Sequence, residues 1–264
     1  MFDTIYINSH SAVPVEILEV IDSTNEEAKR RIKNGGDSDF VLIAKEHTAG
    51  KGRKGRSFYS PKSTGLYLSF VHFSDDAFSD VLKVTVATSV IASTSIKDSL
   101  GIECGIKWVN DLYFKERKVS GTLCECILKN TYDNLQNAII VGIGINVSTD
   151  IFPDDILSKA GSLIVENSNT NSRQTEGNKV DDMAIGIING LNEFFEECTL
   201  MPYMDIYKKS SIVLNKKVVL SDAEKAIDSG VVKGFDDNGA LILERDDKSV
   251  IVYDSGEISL KFDN

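Results

Sequence analysis

The 264-residue sequence has no apolar run approaching the ~18 residues that a membrane-crossing helix requires, so no transmembrane segment is expected. Cysteine is scarce, at Cys104, Cys124, Cys126 and Cys198, and histidine scarcer still, at His10, His47 and His72. These residues form no CxxC pair and no zinc-ligand spacing, which argues for buried free thiols rather than a metal site. Cys124 and Cys126 fall two apart in an apolar run, where strand alternation puts both thiols on one face. Cations are in deficit, with 29 Lys and Arg against 40 Asp and Glu and a net charge of -11. That balance opposes nucleic-acid binding by the chain as a whole, because neutralising phosphates takes a surplus of Lys and Arg. Residues Met1 to Pro14 lack the basic and apolar regions of a secretory signal, so a cytoplasmic location is expected.

What is present reads as a soluble α+β chain in two parts. Val15 to Ile21 reads as a strand, and Ser23-Thr24-Asn25-Glu26 has the form of a capping box opening a helix that Gly35-Gly36 ends. Phe40 to Ala44 and Gly65 to Phe73 are strands flanking a polar, glycine-rich loop from Glu46 to Lys62. Ser79 to Leu100 is a long helix stopped by Gly101, and Cys104 to Trp108, Lys118 to Leu128 and Asn137 to Val147 are further strands. Short helical pieces are expected over Asp150 to Val165. The low-complexity run Asn167 to Gly177 buries nothing and reads as a mobile loop before helices at Lys179 to Cys198 and Tyr203 to Ser211. From Ile212 the pattern turns to short strands between turn residues, which suggests a small β-barrel. The division expected is 1–211, a mixed sheet with helices, and 212–264, the barrel.

The cations that do occur are concentrated. Lys51, Arg53, Lys54 and Arg56 alternate with Gly50, Gly52 and Gly55, and no acid lies between Ala49 and Phe73. The run formally satisfies G-x-G-x-x-G, but Pro61 and a strand follow where a dinucleotide fingerprint demands a helix. Two readings stay open: a loop closing over phosphate or carboxylate oxygens, or a solvated basic surface. Lys107-Trp108-Val109-Asn110-Asp111 and Lys118 bring polar groups to one hairpin end, where a lysine beside carboxylates is either a structural ion pair or a catalytic group. Trp108, the sole tryptophan, reads as core. Gly142-x-Gly144-x-Asn146 closes an Ile/Val-rich strand, and its glycines mark close packing or close approach of a ligand.

Taken in order, these segments resemble the catalytic and C-terminal parts of biotin-protein ligases, the family of biotin-acetyl-CoA-carboxylase ligases and holocarboxylase synthetases. The matching residues are Asp22-Ser23-Thr24-Asn25, Ala49 to Arg56, Ser60-Pro61 with Gly65-Leu66-Tyr67-Leu68-Ser69, Lys107-Trp108-x-Asn110-Asp111-Leu112-Tyr113, Lys118-x-x-Gly121-x-Leu123-x-Glu125, Gly142-x-Gly144-Ile145-Asn146-Val147 and Gly256 to Leu260. The likeness covers about Ile17 to Lys261. It departs from the family pattern at four positions: His47 stands for Gln, Lys51 for Arg, Phe58 for Trp and Val109 for Pro.

The resemblance implies a class II synthetase-like catalytic fold that joins biotin and ATP into biotinyl-5'-AMP and then passes biotin to a lysine of a biotin carboxyl carrier domain. Magnesium would accompany the ATP phosphates, with no protein metal site certain. Carried over position by position, biotin would meet Ser23, Thr24, Asn25, His47, Gly50, Lys51, Gly52, Arg53, Lys118 and Gly121. ATP or the adenylate would meet Lys51, Arg53, Arg56, Phe58, Asn110, Lys118 and Asn146. Lys118, Arg53 and Asp111 would carry the catalysis, Asp111 by orienting the incoming amine. The segment before the first strand is too short for the DNA-binding domain some relatives carry, so no nucleic-acid partner is expected, and a homodimer is allowed. Lipoate ligation and a catalytically silent biotin-binding module are the competing readings.

Overall fold

A computed structural model describes residues 2–74, 80–130, 135–164, 173–222 and 225–260. The larger part is a seven-stranded sheet built from β1 (Val15–Leu18), β2 (Phe40–Ala44), β3 (Gly65–Ser74), β4 (Gly105–Lys107), β5 (Asp111–Phe114), β6 (Arg117–Asn130) and β7 (Leu135–Asn146). Its order is β1-β2-β3-β7-β6-β5-β4, with β1 and β2 parallel and every other pair antiparallel. Helix α1 (Thr4–His10) precedes the sheet, and α2 (Thr24–Lys33) lies on one face of it. On the other face are α3 (Val81–Leu100), α4 (Arg173–Glu197) and α5 (Met201–Ser210).

Strand alternation explains where the cores and the cleft sit. In β7, Ile139, Val141, Ile143 and Ile145 face the main core with α3 and α4, whereas Ala138 and Ile140 face a smaller core under α2 with Ala28, Ile32, Leu42 and Val71. Gly142 and Gly144 continue that second face, and there the missing side chains open a hollow beyond the start of α2. In β3, Leu66, Leu68 and Phe70 point to the main core, which leaves Tyr67 and Ser69 on the hollow's side.

Several sequence expectations shift at their edges. The first strand stops at Leu18 rather than Ile21, because Ile21 makes only an isolated bridge to His47. Ser23 is the N-cap of α2, but its side chain makes no capping bond, and Glu26 does not reach back to it. Glu26 is held instead by two ammonium groups, those of Lys29 at 2.7 Å and Lys51 at 2.8 Å, and a charge-assisted pair outcompetes a neutral backbone donor. Gly101 ends α3 in the left-handed conformation as expected, at φ 71. Strand β5 was not expected. Four residues carry no readable periodicity, and pairing to β4 and β6 creates the strand.

Pro153 to Ala160 forms hydrogen-bonded turns in place of helical pieces. Helix α4 begins at Arg173, so residues 173–177 of the polar run open a helix where a mobile loop was expected; residues 167–172 lie outside the described residues. The last strands, β8 (Lys217–Asp222), β9 (Lys225–Phe235), β10 (Leu241–Glu244), β11 (Val250–Tyr253) and β12 (Glu257–Leu260), pair antiparallel in the order β11-β10-β9-β8-β12. This small sheet stands where a small barrel was expected. Among the described residues, no helix is long and apolar enough to cross a membrane.

Candidate active site

A cleft of about 520 Å3 runs from the N-terminus of α2, under the glycine-rich loop and along β7 and β6, to the β4–β5 turn, with β8, β9 and β12 closing one side. Ser23, Thr24, Asn25, His47, Lys51, Gly52, Arg53, Arg56, Phe58, Asn110, Asp111, Lys118 and Gly121 all line it. Residues scattered over a hundred positions of sequence thus converge on one hollow.

At the α2 end the polar groups are buried and interlocked. Ser69 Oγ lies 2.6 Å from Asn25 Oδ1 and 2.7 Å from Thr24 Oγ1. Ser69 is the donor toward both, and since a hydroxyl has one proton to give, Asn25 and Thr24 share it. Asn25 Nδ2 donates to the Leu123 carbonyl at 3.3 Å and to Glu125 Oε2 at 3.0 Å, so the whole Asn25 carboxamide is held by protein groups. It rests on Gly142, where a Cβ would come within 2.2 Å of Asn25 Oδ1.

His47 Nε2 accepts the Thr24 backbone N–H at 3.2 Å, which assigns the ring's proton to Nδ1. Burial lowers the imidazole pKa from 6.5 to about 4, so the ring is neutral at physiological pH. Because the native ring resists protonation while the unfolded one accepts a proton near 6.5, this site adds stability that is complete above that pH and is lost as pH falls toward 4. Gln can offer the same acceptor to Thr24 without titrating. His47→Gln is therefore expected to flatten the thermal-midpoint profile between pH 6.5 and 4 while matching the native chain at pH 7.5; parallel profiles would refute the assignment.

The loop folds over the cleft as a tight turn. Gly52 N donates to Arg56 O at 2.7 Å and Phe58 N to Gly50 O at 2.9 Å, and Lys54 sits at its tip with φ 54. Three cations fasten it to three different elements: Lys51 to Glu26 of α2, Arg53 Nη1 to Asn110 Oδ1 at 3.2 Å, and Lys54 to Asp222 of β8 at 2.5 Å. The Phe58 ring lies against Gly144, where a Cβ would come within 2.5 Å of it. Gly50 and Asn146 stand behind the lining. A Cβ on Gly50 would meet Phe58 O at 2.3 Å, so this glycine lets the two arms of the loop approach. Asn146 gives Nδ2 to Gly161 O at 3.1 Å, and its buried Oδ1 has no hydrogen-bond partner.

At the other end Lys118 Nζ lies 2.7 Å from Asp111 Oδ1. The approach is out of line for a hydrogen bond, and that buried oxygen has no hydrogen-bonded partner. Gly121 leaves the space the lysine uses, since a Cβ there would lie 3.2 Å from both Cε and Nζ. Asn110 Nδ2 donates to Thr122 O at 2.9 Å. The Trp108–Val109 peptide is cis, Trp108 is buried as expected of core, and its indole N–H donates to Gly239 O at 3.0 Å. Burial and the nearby Asp111 charge push the Tyr113 phenol up to about 12.

Sequence reading missed Tyr67, Lys107, Tyr113, Thr122, Leu123 and Lys159 as cleft residues, as it did Val219, Ser221, Ala226, Gly256 and Ile258 from the C-terminal sheet. Strand alternation around Ser69 and Gly121 was a usable signal for Tyr67 and Leu123. Gly256 and Ile258 stood in the family-matched run Gly256 to Leu260, whereas Lys159, Val219, Ser221 and Ala226 carried none.

The segment 17–146 matches the biotin/lipoate A/B protein ligase family and 213–261 the biotin protein ligase C-terminal domain. The bifunctional ligase/repressor BirA of Escherichia coli is 31% identical over 94% of this chain and 74% of its own length. The chain belongs to this ligase family. The biotin-[acetyl-CoA-carboxylase] ligase of Paracoccus denitrificans is a further relative, 28% identical over 84% of this chain and 90% of its own. The solved biotin protein ligase from Aquifex aeolicus in complex with biotin and ATP superposes with a TM-score of 0.73 at 27% identity, covering 94% of this chain and 98% of that one. The family's two matched regions are the large sheet with α2 and α3 and the small C-terminal sheet, and both line the cleft.

Proposed function

We infer that this chain is an ATP-dependent biotin-protein ligase. In the first step a biotin carboxylate oxygen attacks the α-phosphorus of ATP, forming biotinyl-5'-adenylate and releasing pyrophosphate. In the second, the ε-amine of an acceptor lysine attacks the adenylate's acyl carbon, the C–O bond to AMP breaks, and the amine loses a proton. The observation that carries this reading is a single cleft with an interlocked polar pocket at one end and cations gathered along the loop and at Lys118.

The chemistry asks the protein to bring two anions together and to hold the product away from water. Lys51, Arg53 and Arg56 supply positive charge over the cleft, and Lys118 supplies it where charge builds on the carboxylate and phosphoryl oxygens. Asp111, beside Lys118, is placed to receive and orient an incoming ammonium. Ser23, Thr24 and His47 with Gly52 frame the biotin end, Gly121 gives Lys118 its space at the other end, and Phe58 and Asn110 frame the nucleotide, with Asn146 behind the lining. Asn25, with its carboxamide fully held, acts by fixing Thr24 and Ser69. Magnesium enters as the counter-ion that ATP brings, held mainly by phosphate oxygens and water.

The acceptor is a biotin carboxyl carrier domain, the location is cytoplasmic, and catalysis belongs to 1–211 with 212–264 as a small separate domain. Incubation with biotin, magnesium-ATP and a carrier domain is expected to release pyrophosphate and to give a streptavidin-detectable product. An absence of both, or lipoate displacing biotin as the preferred acid, would overturn the assignment.

A further inference from the structure

Lys107, Trp108, Asn110 and Asp111 line the cleft, and the segment is held by Trp108 on Gly239 O, by Asn110 on Thr122, and at the backbone oxygen of the buried Val109. That oxygen accepts from two hydroxyls on elements outside the cleft: Ser89 Oγ of α3 at 3.2 Å and Tyr207 Oη of α5 at 3.2 Å. Ser89 has a competing acceptor, since its hydroxyl also lies 2.9 Å from Thr85 O. One proton cannot serve both. Tyr207 has no other hydrogen-bond partner among the described residues, is fully buried, and has its ring fixed edge-on against Phe235 of β9 with centroids 5.1 Å apart. Burial, helped by the nearby Asp111 charge and opposed by Arg53, holds this phenol well above its ordinary value and so keeps it protonated. It is a fixed donor.

We propose that Tyr207 is a positioning residue for nucleotide activation, acting through the Val109 carbonyl to set Asn110 and Asp111. The link is short. Asn110 follows Val109 directly and holds Arg53 of the loop, and Asp111 comes next and pairs with Lys118. One hydroxyl buried 98 positions away in sequence thus governs both the loop's anchor and the carboxylate beside the central lysine. The polar pocket at the α2 end shares no bond with Val109, so the effect falls on the nucleotide side and spares biotin.

The inference rests on the ligase reading, and the experiment separates the two. Tyr207→Phe and Ser89→Ala are made in the full chain, pyrophosphate release is followed with ATP and biotin varied in turn, and biotin affinity is measured without ATP. Tyr207→Phe keeps the ring and its packing on Phe235, so its thermal midpoint stays within a few degrees of the native chain. Its kcat/KM for ATP is expected to fall about tenfold, in line with the cost of misplacing catalytic groups. Biotin affinity is expected to change less than twofold, and Ser89→Ala to give a smaller change of the same kind. Unaltered ATP kinetics in both variants, or ATP kinetics and biotin affinity declining together, would overturn the proposal. Should Tyr207→Phe fail to fold, the same split in Ser89→Ala decides it. An inactive native chain sinks the ligase reading and this inference with it; an active one with indifferent variants sinks only the inference.

Discussion

Replacing Lys118 with alanine is expected to slow pyrophosphate release by about 10²–10³-fold, the cost of removing one preorganised group that stabilises transition-state charge. The fold is expected to survive. Lys118 and Asp111 keep 34% and 20% of their side-chain surface, and a partly exposed pair contributes little to stability. Arginine does not rescue, because Gly121 is spaced for a lysine terminus: even a single added carbon there would sit 3.2 Å from Nζ. A planar guanidinium needs more room and a fork of acceptors. Single-turnover adenylate formation is the measurement, since it isolates the chemical step from product release. A variant within threefold of the native rate would remove Lys118 from the mechanism and return it to a structural ion pair.

Gly142→Ala is expected to weaken biotin binding by about 100-fold, with a lowered thermal midpoint, as overpacking costs ~1–3 kcal/mol. The added methyl would lie 2.2 Å from Asn25 Oδ1, and Asn25 has nowhere to go. Ser69, the Leu123 carbonyl and Glu125 hold it on three sides, and Glu125 is itself paired with Lys29. The strand cannot yield either, because β7 is hydrogen-bonded to β3 on one side and β6 on the other. Gly144→Ala makes a useful contrast. Its methyl would press on the Phe58 ring, carried by the loop, so the expected loss is smaller and falls on ATP rather than biotin. Calorimetric titration of biotin into both variants tests the pair; equal affinities would show that the floor of the cleft is not built as described.

Much of this was legible in the residue order. The strands of the large sheet, the helix after Ser23, the stop at Gly101 and the cationic loop each rest on local physics that tertiary packing did not override. The family-matched residues converge because the start of α2, the loop, the β4–β5 turn and the glycines of β6 and β7 meet over one face of the large sheet, with Gly256 and Ile258 reaching in from the small one. Other features depend on partners far away in sequence. Strand β5 exists through its neighbours rather than its own pattern. Glycine at 142 and 144 could be flagged, but only the partners, Asn25 and Phe58, say which part of the cleft each serves. The capping-box spacing at Ser23 and Glu26 was present, yet Lys29 and Lys51 took the carboxylate. The polar run before Lys179 carried no apolar stripe, although its last residues open α4.

The loop over the cleft is fastened by charge and not by oil. Two of its holds, Lys51 on Glu26 and Lys54 on Asp222, are ion pairs with water at their flanks, and dissolved ions weaken such pairs over a screening length of ~8 Å at physiological strength. The floor beneath is built of buried neutral hydrogen bonds that salt scarcely touches. Raised ionic strength is therefore expected to loosen the cover and speed loss of a water-sensitive anhydride, measured as adenylate hydrolysis across a salt series, while leaving the choice of acid to the pocket below.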